Sequence, residues 1–402
     1  MKSNPHRHSL PASSRIRLFT VLLVGTVATM PEPAHATEPE SASGDVRYVA
    51  PDRQGDGSGD APHNAAFYLD DTLWEEVSEA LEKEPVTVRF ADGHYREDTL
   101  ILQRIGHHEN RLVLEPATAG GAVFDGDLRW QIRLRGARNT TLRHLHFTGP
   151  TRNFALHIRS ERDYPAHDLT VEHCRFVDLD KATYGAIGIS GEVTELVIRD
   201  NIFQRVGYSA HAHMIYTTYG GFGPGPLRFL NNHFEDSFGD YLRLRNRIGH
   251  AEISGNTFFS TSVARNRPFI AMPVFNTEAP GTEVISDDVL IRGNTFRYHP
   301  WEEQDWDRGI AICLSSYGYD PGDRRYLLSP EQADHLRSGP LEESRALLEN
   351  TLGINPRTIR LADNLFENAF HRVGFGAFAH FGAESRGWEG FIDITRLVSH
   401  ED

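Results

Sequence analysis

The sequence predicts an all-β fold, a right-handed parallel β-helix built from coils of three short strands, on three observations. Seven short apolar segments close on a phenylalanine: 142–147, 169–176, 196–203, 227–234, 251–258, 289–296 and 359–366, with the closing Phe residues 29, 27, 31, 24, 38 and 70 positions apart. Asn201, Asn232, Asn256, Asn294 and Asn364 each stand two before the Phe, and Leu145 and Cys174 take that place in the first two copies. Each copy alternates apolar and polar residues with period two, as a half-buried strand does, rather than presenting an apolar face every 3.6 residues. Stacked copies would bury the Phe side chains in a column and set the Asn side chains at one corner, where their amides can satisfy turn groups. A β-propeller is the competing architecture, but its blades need four strands and a longer period.

In chain order, the N-terminus comes first. Arg15 and Arg17 lead into an apolar run over 18–30, and Ala34-His35-Ala36 follows as a small-residue cleavage pattern. Residues 1–36 therefore read as a signal peptide, too short in its apolar part to span a bilayer. Residues 37–46 read as a Pro/Ser/Glu-rich flexible leader, and 47–402 as a single β-helix domain of an exported protein, periplasmic or secreted. Thr72-Leu73-Trp74-Glu75 has capping-box spacing, and Trp74, Val77 and Leu81 would share one face of the helix it starts. Such a helix would cover the open N-terminal end of the coil. The 70-residue step between Phe296 and Phe366 holds an insertion near 301–355, acidic over 301–307 and helical over 329–352.

Composition limits the function. The chain of 402 residues carries a net charge of −15, and removing residues 1–36 leaves 37 basic and 55 acidic residues, or −18. That balance argues against a nucleic-acid binder and against an anionic membrane as partner. Two cysteines, Cys174 and Cys313, make no disulfide framework and read as core residues. A monomer is the expected form.

Tyr48-Val49-Ala50-Pro51, the turn at Gly55-Asp56-Gly57-Ser58, Ala91-Asp92-Gly93-His94-Tyr95, and residues 112–127 with Gly120-Gly121 and Phe124-Asp125-Gly126 resemble the first coils of secreted parallel β-helix polysaccharide lyases. The pectin-lyase-like superfamily, and within it the alginate lyase and chondroitinase B type, is what this stretch is similar to. The resemblance implies cleavage of a uronic-acid polysaccharide, alginate-like or glycosaminoglycan-like. The Asp-Pro-His motif of mannuronan epimerases is absent, and no family catalytic residue aligns.

Site candidates therefore come from the residues themselves. In the strand that follows each Phe, strict alternation sends Leu156, Ile187, Ile215, Leu242 and Leu244 inward. The outward column is then His157, Gly188, Tyr216 and Arg243, flanked by Arg159, Ser190, Thr218 and Arg245. Residues 241–270 hold Arg243, Arg245, Arg247, Arg265 and Arg267 against Glu252 alone, a local +4 suited to a polyanion. These arginines could equally pair with acids of neighbouring coils.

Uronate elimination needs the carboxylate neutralised, a base for the α-proton and an acid for the departing oxygen. Arg243 and Arg245 would neutralise, since guanidinium forks onto carboxylate. Tyr216 leads for proton transfer, because a phenol beside two Arg has its pKa lowered; its alternative is a stacking platform for a sugar ring. His213, which with His211 either faces inward by alternation or belongs to the entering turn, and Lys181, in the loop before Tyr184, are the further catalytic candidates. His157, Arg159, Ser190 and Arg265 are substrate-binding candidates. No cofactor is required; Asp178/Asp180 and Asp287/Asp288 would suit calcium. A β-helix glycoside hydrolase using Glu235, Asp236 and Asp240 is one rival, and a non-catalytic carbohydrate-binding solenoid the other.

Overall fold

A computed structural model describes residues 44–106, 109–218, 226–245, 248–276, 287–300, 310–317, 335, 339–347, 350, 359–369, 371–377, 386–387 and 393–398. The signal-peptide reading, most of the leader, the acidic segment 301–307 and Arg247 lie outside the described residues.

The strands pair in parallel with the equivalent strand one coil on, which makes the architecture a parallel β-helix. One face runs through Asp45–Ala50, Val86–Phe90, Leu112–Pro116, Arg138–Arg143, His167–Glu172, Thr194–Arg199, Leu227–Leu230, Gly249–Ser254, Asp287–Arg292 and Ile359–Glu367 to Asp393–Val398. A second carries the Phe-bearing strands, from Gly93–Tyr95 to Thr295–Arg297. A separate sheet stacks Leu100–Gln103, Trp130–Arg135, Phe154–Arg159, Gly185–Ser190, His213–Thr218, Leu242–Arg243, Ile270–Asn276, Ile310–Tyr317 and His371–Ala377, with Arg386–Gly387 added antiparallel.

The Phe column is stacked as the repeat predicts, buried from Phe147 to Phe296 and half-buried at Phe366. Phe147, Phe176, Phe203, Phe234, Phe258, Phe296 and Phe366 follow one another at centroid spacings of 4.7, 4.9, 4.8, 4.8, 5.0 and 5.0 Å. It continues below the predicted repeats through Phe124 and Tyr95. Beside it the Asn amides form a ladder. Asn232 Nδ2 donates to Ile198 O and to Asn256 Oδ1, and its Oδ1 accepts from the backbone and side-chain N–H groups of Asn201. The pattern repeats at Asn256, Asn294 and Asn364. Cys174, one coil below Asn201, donates only its backbone N–H to the Asn201 amide oxygen. Each ladder residue follows one in the left-handed region: His173, Asp200, Asn231, Gly255, Gly293 and Asp363, at φ between 53° and 68°. Short polar side chains and glycine tolerate that turn best.

The N-terminal helix spans Asp71–Leu81, and two details differ from expectation. Its cap is Asp70, whose carboxylate accepts the Thr72 N–H at 3.0 Å, because the chain leaves its extended conformation two residues before Thr72. Leu73, Val77 and Leu81 make the buried face, while Trp74 is half-buried with its indole N–H on Tyr68 O at 2.9 Å. Within the insertion a helix is present at Leu341–Leu347. Cys174 and Cys313 are free and buried.

Asn256→Ala would strip hydrogen-bond partners from Asn232, Phe229 and Asn294 at once. Buried polar groups left unsatisfied cost about 1–3 kcal/mol each. Urea unfolding should show a loss of about 3 kcal/mol or more; a loss below about 1 kcal/mol would mean that the ladder is not a principal source of stability.

Candidate active site

The sheet that carries the site is held by its register. His157 pairs with Gly188, Gly188 with Tyr216, and Tyr216 with Arg243, so the four share one column, in which Tyr216 is part-exposed and the other three are buried; Arg159, Ser190 and Thr218 form the neighbouring one. Strict alternation fails at the start of each strand. Ala155 and Leu156, Ala186 and Ile187, and Met214 and Ile215 are consecutive buried pairs, and the resulting phase slip puts the first residue of the strand on the same side as the fourth. The inward placement expected for His213 is thereby corrected. Its ring lies 4.9 Å from that of Tyr216, in contact with the candidate site rather than in the apolar core. His211 is exposed on the preceding turn.

The same slip brings Phe154 outward. Its ring lies over Gly188, where a Cβ would come within 2.4 Å of it, so only glycine leaves room. From there it meets His157 at 5.7 Å, Tyr184 at 5.9 Å and Tyr216 at 6.2 Å. Tyr184, 43% exposed, stacks against Tyr216 at 6.4 Å. Phe154, Tyr184 and Tyr216 make an aromatic floor that the alternation pattern did not reveal.

Behind Tyr216 stand two arginines, each 1% exposed. Arg245 Nη1 donates to Tyr216 Oη at 2.5 Å, with its guanidinium carbon 5.8 Å from the ring centroid. Arg245 is fixed by its own backbone, whose N–H donates to Thr217 Oγ1 at 2.5 Å. Arg243 Nη1 donates to Asp240 Oδ2 at 2.8 Å, a pairing within the same coil. Asp240 also donates its backbone N–H to His213 Nδ1 at 3.0 Å, which leaves the proton of a neutral imidazole on Nε2. Burial first, and then Arg243, hold His213 well below the usual imidazole range. Burial pushes the Asp240 carboxyl up, with Arg243 pulling the other way. Tyr216 and His213 thus sit together with a guanidinium on the phenol oxygen and an imidazole kept neutral.

His157 is buried between Trp130 and Phe154, with Nε2 3.0 Å from Ser190 Oγ. Burial, with Arg133, Arg159 and Arg129 around it, pushes its pKa down to about 3. Arg159 is exposed on the column beside it. Lys181 is exposed and acts electrostatically on Asp127, and Arg265 lies on the Phe238 ring at 3.4 Å. Of the acids of the hydrolase reading, Asp240 stands beside Arg243 and His213, whereas Glu235 accepts from Gln204 at 2.7 Å on another sheet, and Asp236 binds the Thr261 N–H and hydroxyl. Among the acidic turns proposed for calcium, Asp178 is forked by Arg205, and Asp288 binds His250 and Arg360. Among the described residues no cluster of three metal-ligating side chains occurs.

No protein-family model matches the chain, and no curated protein matches its sequence. Solved structures similar to it include the pectate lyase Pel9A, at 11% identity over 81% of this chain and 76% of that one, TM-score 0.45. The PL6 family alginate lyase AlyGC is similar at 13% identity over 73% of this chain and 34% of that one, TM-score 0.40. A mutant tailspike protein of E. coli bacteriophage HK620, in complex with a pentasaccharide, is similar at 12% identity over 82% and 64%, TM-score 0.40. Likeness at this level concerns the coiled architecture and assigns no reaction.

The buried His157 ties stability to pH. An unfolded imidazole titrates near 6.5 and the folded one near 3, so between those values the unfolded chain binds the extra proton and stability falls as pH falls, by about 1.4 kcal/mol per pH unit. His157→Gln should flatten the decline between pH 6 and pH 4 by about that slope in urea unfolding; parallel profiles would show that His157 is protonated in the folded protein.

Proposed function

We propose that the chain is an exported lyase that cleaves a uronic-acid-containing polysaccharide by β-elimination. The observation that carries this reading is the Arg245–Tyr216 hydrogen bond, set one rung from Arg243 and against the neutral His213. A guanidinium donating to a phenol oxygen favours the phenolate, a competent base for a carbon acid.

In this reading a uronate ring lies on Tyr184 and Tyr216, with its carboxylate drawn towards the two guanidinium groups. Neutralising that carboxylate acidifies the adjacent C–H. The Tyr216 oxygen takes the proton, the C–H electron pair becomes a C=C bond, and the β C–O bond breaks. The departing oxygen receives that proton from the Tyr216 hydroxyl, with the neutral His213 ring holding the phenol in place. His213 takes the helper role ahead of Lys181, because its ring touches Tyr216. Arg15, Arg17, the apolar run and Ala34-His35-Ala36 support export.

The test incubates the protein with alginate, pectate, glucuronan and glycosaminoglycans, following both the absorbance of unsaturated uronate and the release of reducing ends. Both signals are expected on one of them. Reducing ends alone would replace the lyase with a hydrolase, and neither signal would replace it with a binding solenoid. Tyr216→Phe should keep substrate binding and lower turnover at least a hundredfold, about 2.7 kcal/mol in the barrier. Near-normal turnover would reduce Tyr216 to a stacking platform.

A further inference from the structure

Three rungs towards the N-terminus, the same column carries a second cationic cluster that the Phe repeat does not mark. Arg133 pairs in register with His157, hence with Gly188 and Tyr216, and at ~4.8 Å per rung it stands about 14 Å from Tyr216 along the sheet. Two guanidinium groups lie on Trp130, Arg129 at 4.4 Å and Arg133 at 4.1 Å from its ring, with the His157 ring 5.7 Å away and nearly parallel to it. Arg135 and Arg159 pair with each other on the adjacent column.

One carboxylate faces this group among the described residues. Glu161 binds Arg135 at 2.6 Å and Arg104 at 3.0 Å, so its charge is already shared. Burial and then the neighbouring Arg135, Arg159 and Arg129 lower the pKa of Arg133, the mark of cations crowded together. Four buried polar atoms here have no hydrogen-bond partner among the described residues: Trp130 Nε1, Arg133 Nε, Arg135 Nε and His157 Nδ1. Three of them are N–H donors. Buried donors are ordinarily satisfied, and like charges this close repel unless an anion sits among them.

We propose that the cluster formed by Arg129, Trp130, Arg133 and Arg159 is a distal subsite that binds the carboxylate of a further uronic-acid residue of the same polysaccharide chain. It rests on the proposed function only in taking the ligand to be a uronate chain lying along this sheet. Orphaned N–H groups and guanidinium forks fit a planar carboxylate, and the 14 Å step requires a chain of several sugars to occupy both places. Short oligosaccharides would engage one end or the other.

The test measures binding by calorimetry to the full chain carrying Tyr216→Phe, with and without Arg133→Gln and Arg159→Gln. The probes are hexamers and dimers of mannuronate and of galacturonate, cellohexaose as an uncharged chain, and inorganic sulfate. Circular dichroism and thermal unfolding establish that the variants are folded. A uronate hexamer should bind at least tenfold more weakly to the Arg variants, and cellohexaose should not bind. Equal hexamer affinity in all proteins overturns the subsite. Binding of sulfate without uronate overturns the assignment to a carboxylate. The two proposals fail separately: hexamer binding that depends on these arginines, with no unsaturated product from the unsubstituted chain, sinks the lyase reading alone. Cleavage with arginine-independent hexamer binding sinks the subsite alone.

Discussion

The vertical hydrogen bonding of the coils sets everything else in this molecule. Parallel strands one rung apart fix the height of every residue, and the Asn ladder fixes the corner at which each coil turns. A buried amide with two donors and two acceptor pairs is expensive to leave unmatched. Asn232 and Asn256 are fully matched only when the coils above and below present the same amide at the same height. The Phe column adds apolar burial at the same period, so a coil shifted by one residue would lose both its amide partners and its aromatic contacts. Register held this firmly is what lets Tyr216 and Arg243, 27 residues apart in sequence, meet on adjacent rungs.

How far the sequence could be read follows from the same periodicity. The coils, the Phe column, the ladder and the column His157–Gly188–Tyr216–Arg243 were legible because each depends on a spacing that repeats. What repeats less plainly was missed. Phe124 and Tyr95 continue the stack without an Asn two residues earlier, so the repeat leaves two coils unmarked, and with them Trp130, Arg133 and Arg135 on the strand after Phe124. His213 was placed inward by alternation, since two consecutive apolar residues, Met214 and Ile215, carry no signal that both face the core. Asp70 was overlooked as a cap because Thr72 and Glu75 imitate a capping box.

At the site the phase slip matters more than any single residue. It sets an imidazole beside a phenol on a sheet whose regular alternation would keep them on opposite faces. Asp240 then serves two neighbours through different atoms, its carboxylate holding Arg243 and its amide holding His213. The imidazole is neutral because water is excluded and a guanidinium is near, and its free proton is directed to Nε2. Buried cations of this kind cost desolvation, which a protein recovers only through well-placed partners. Arg245 meets that need in part through Tyr216, so the group suited to chemistry is also one that keeps the cation in place.

The bond between Asn294 and Asn364 closes a loop of 70 residues, more than twice the span that separates most rungs. Loop closure grows only logarithmically with length, about 0.6 kcal/mol for each doubling. The ladder therefore joins those coils at nearly the same free energy whatever the chain does in between. An insertion at that rung is thermodynamically cheap, and its length and composition are free to change without moving the rungs on either side. The coil fixes the height of each rung, and this one long excursion can be rebuilt between two rungs independently of the fold.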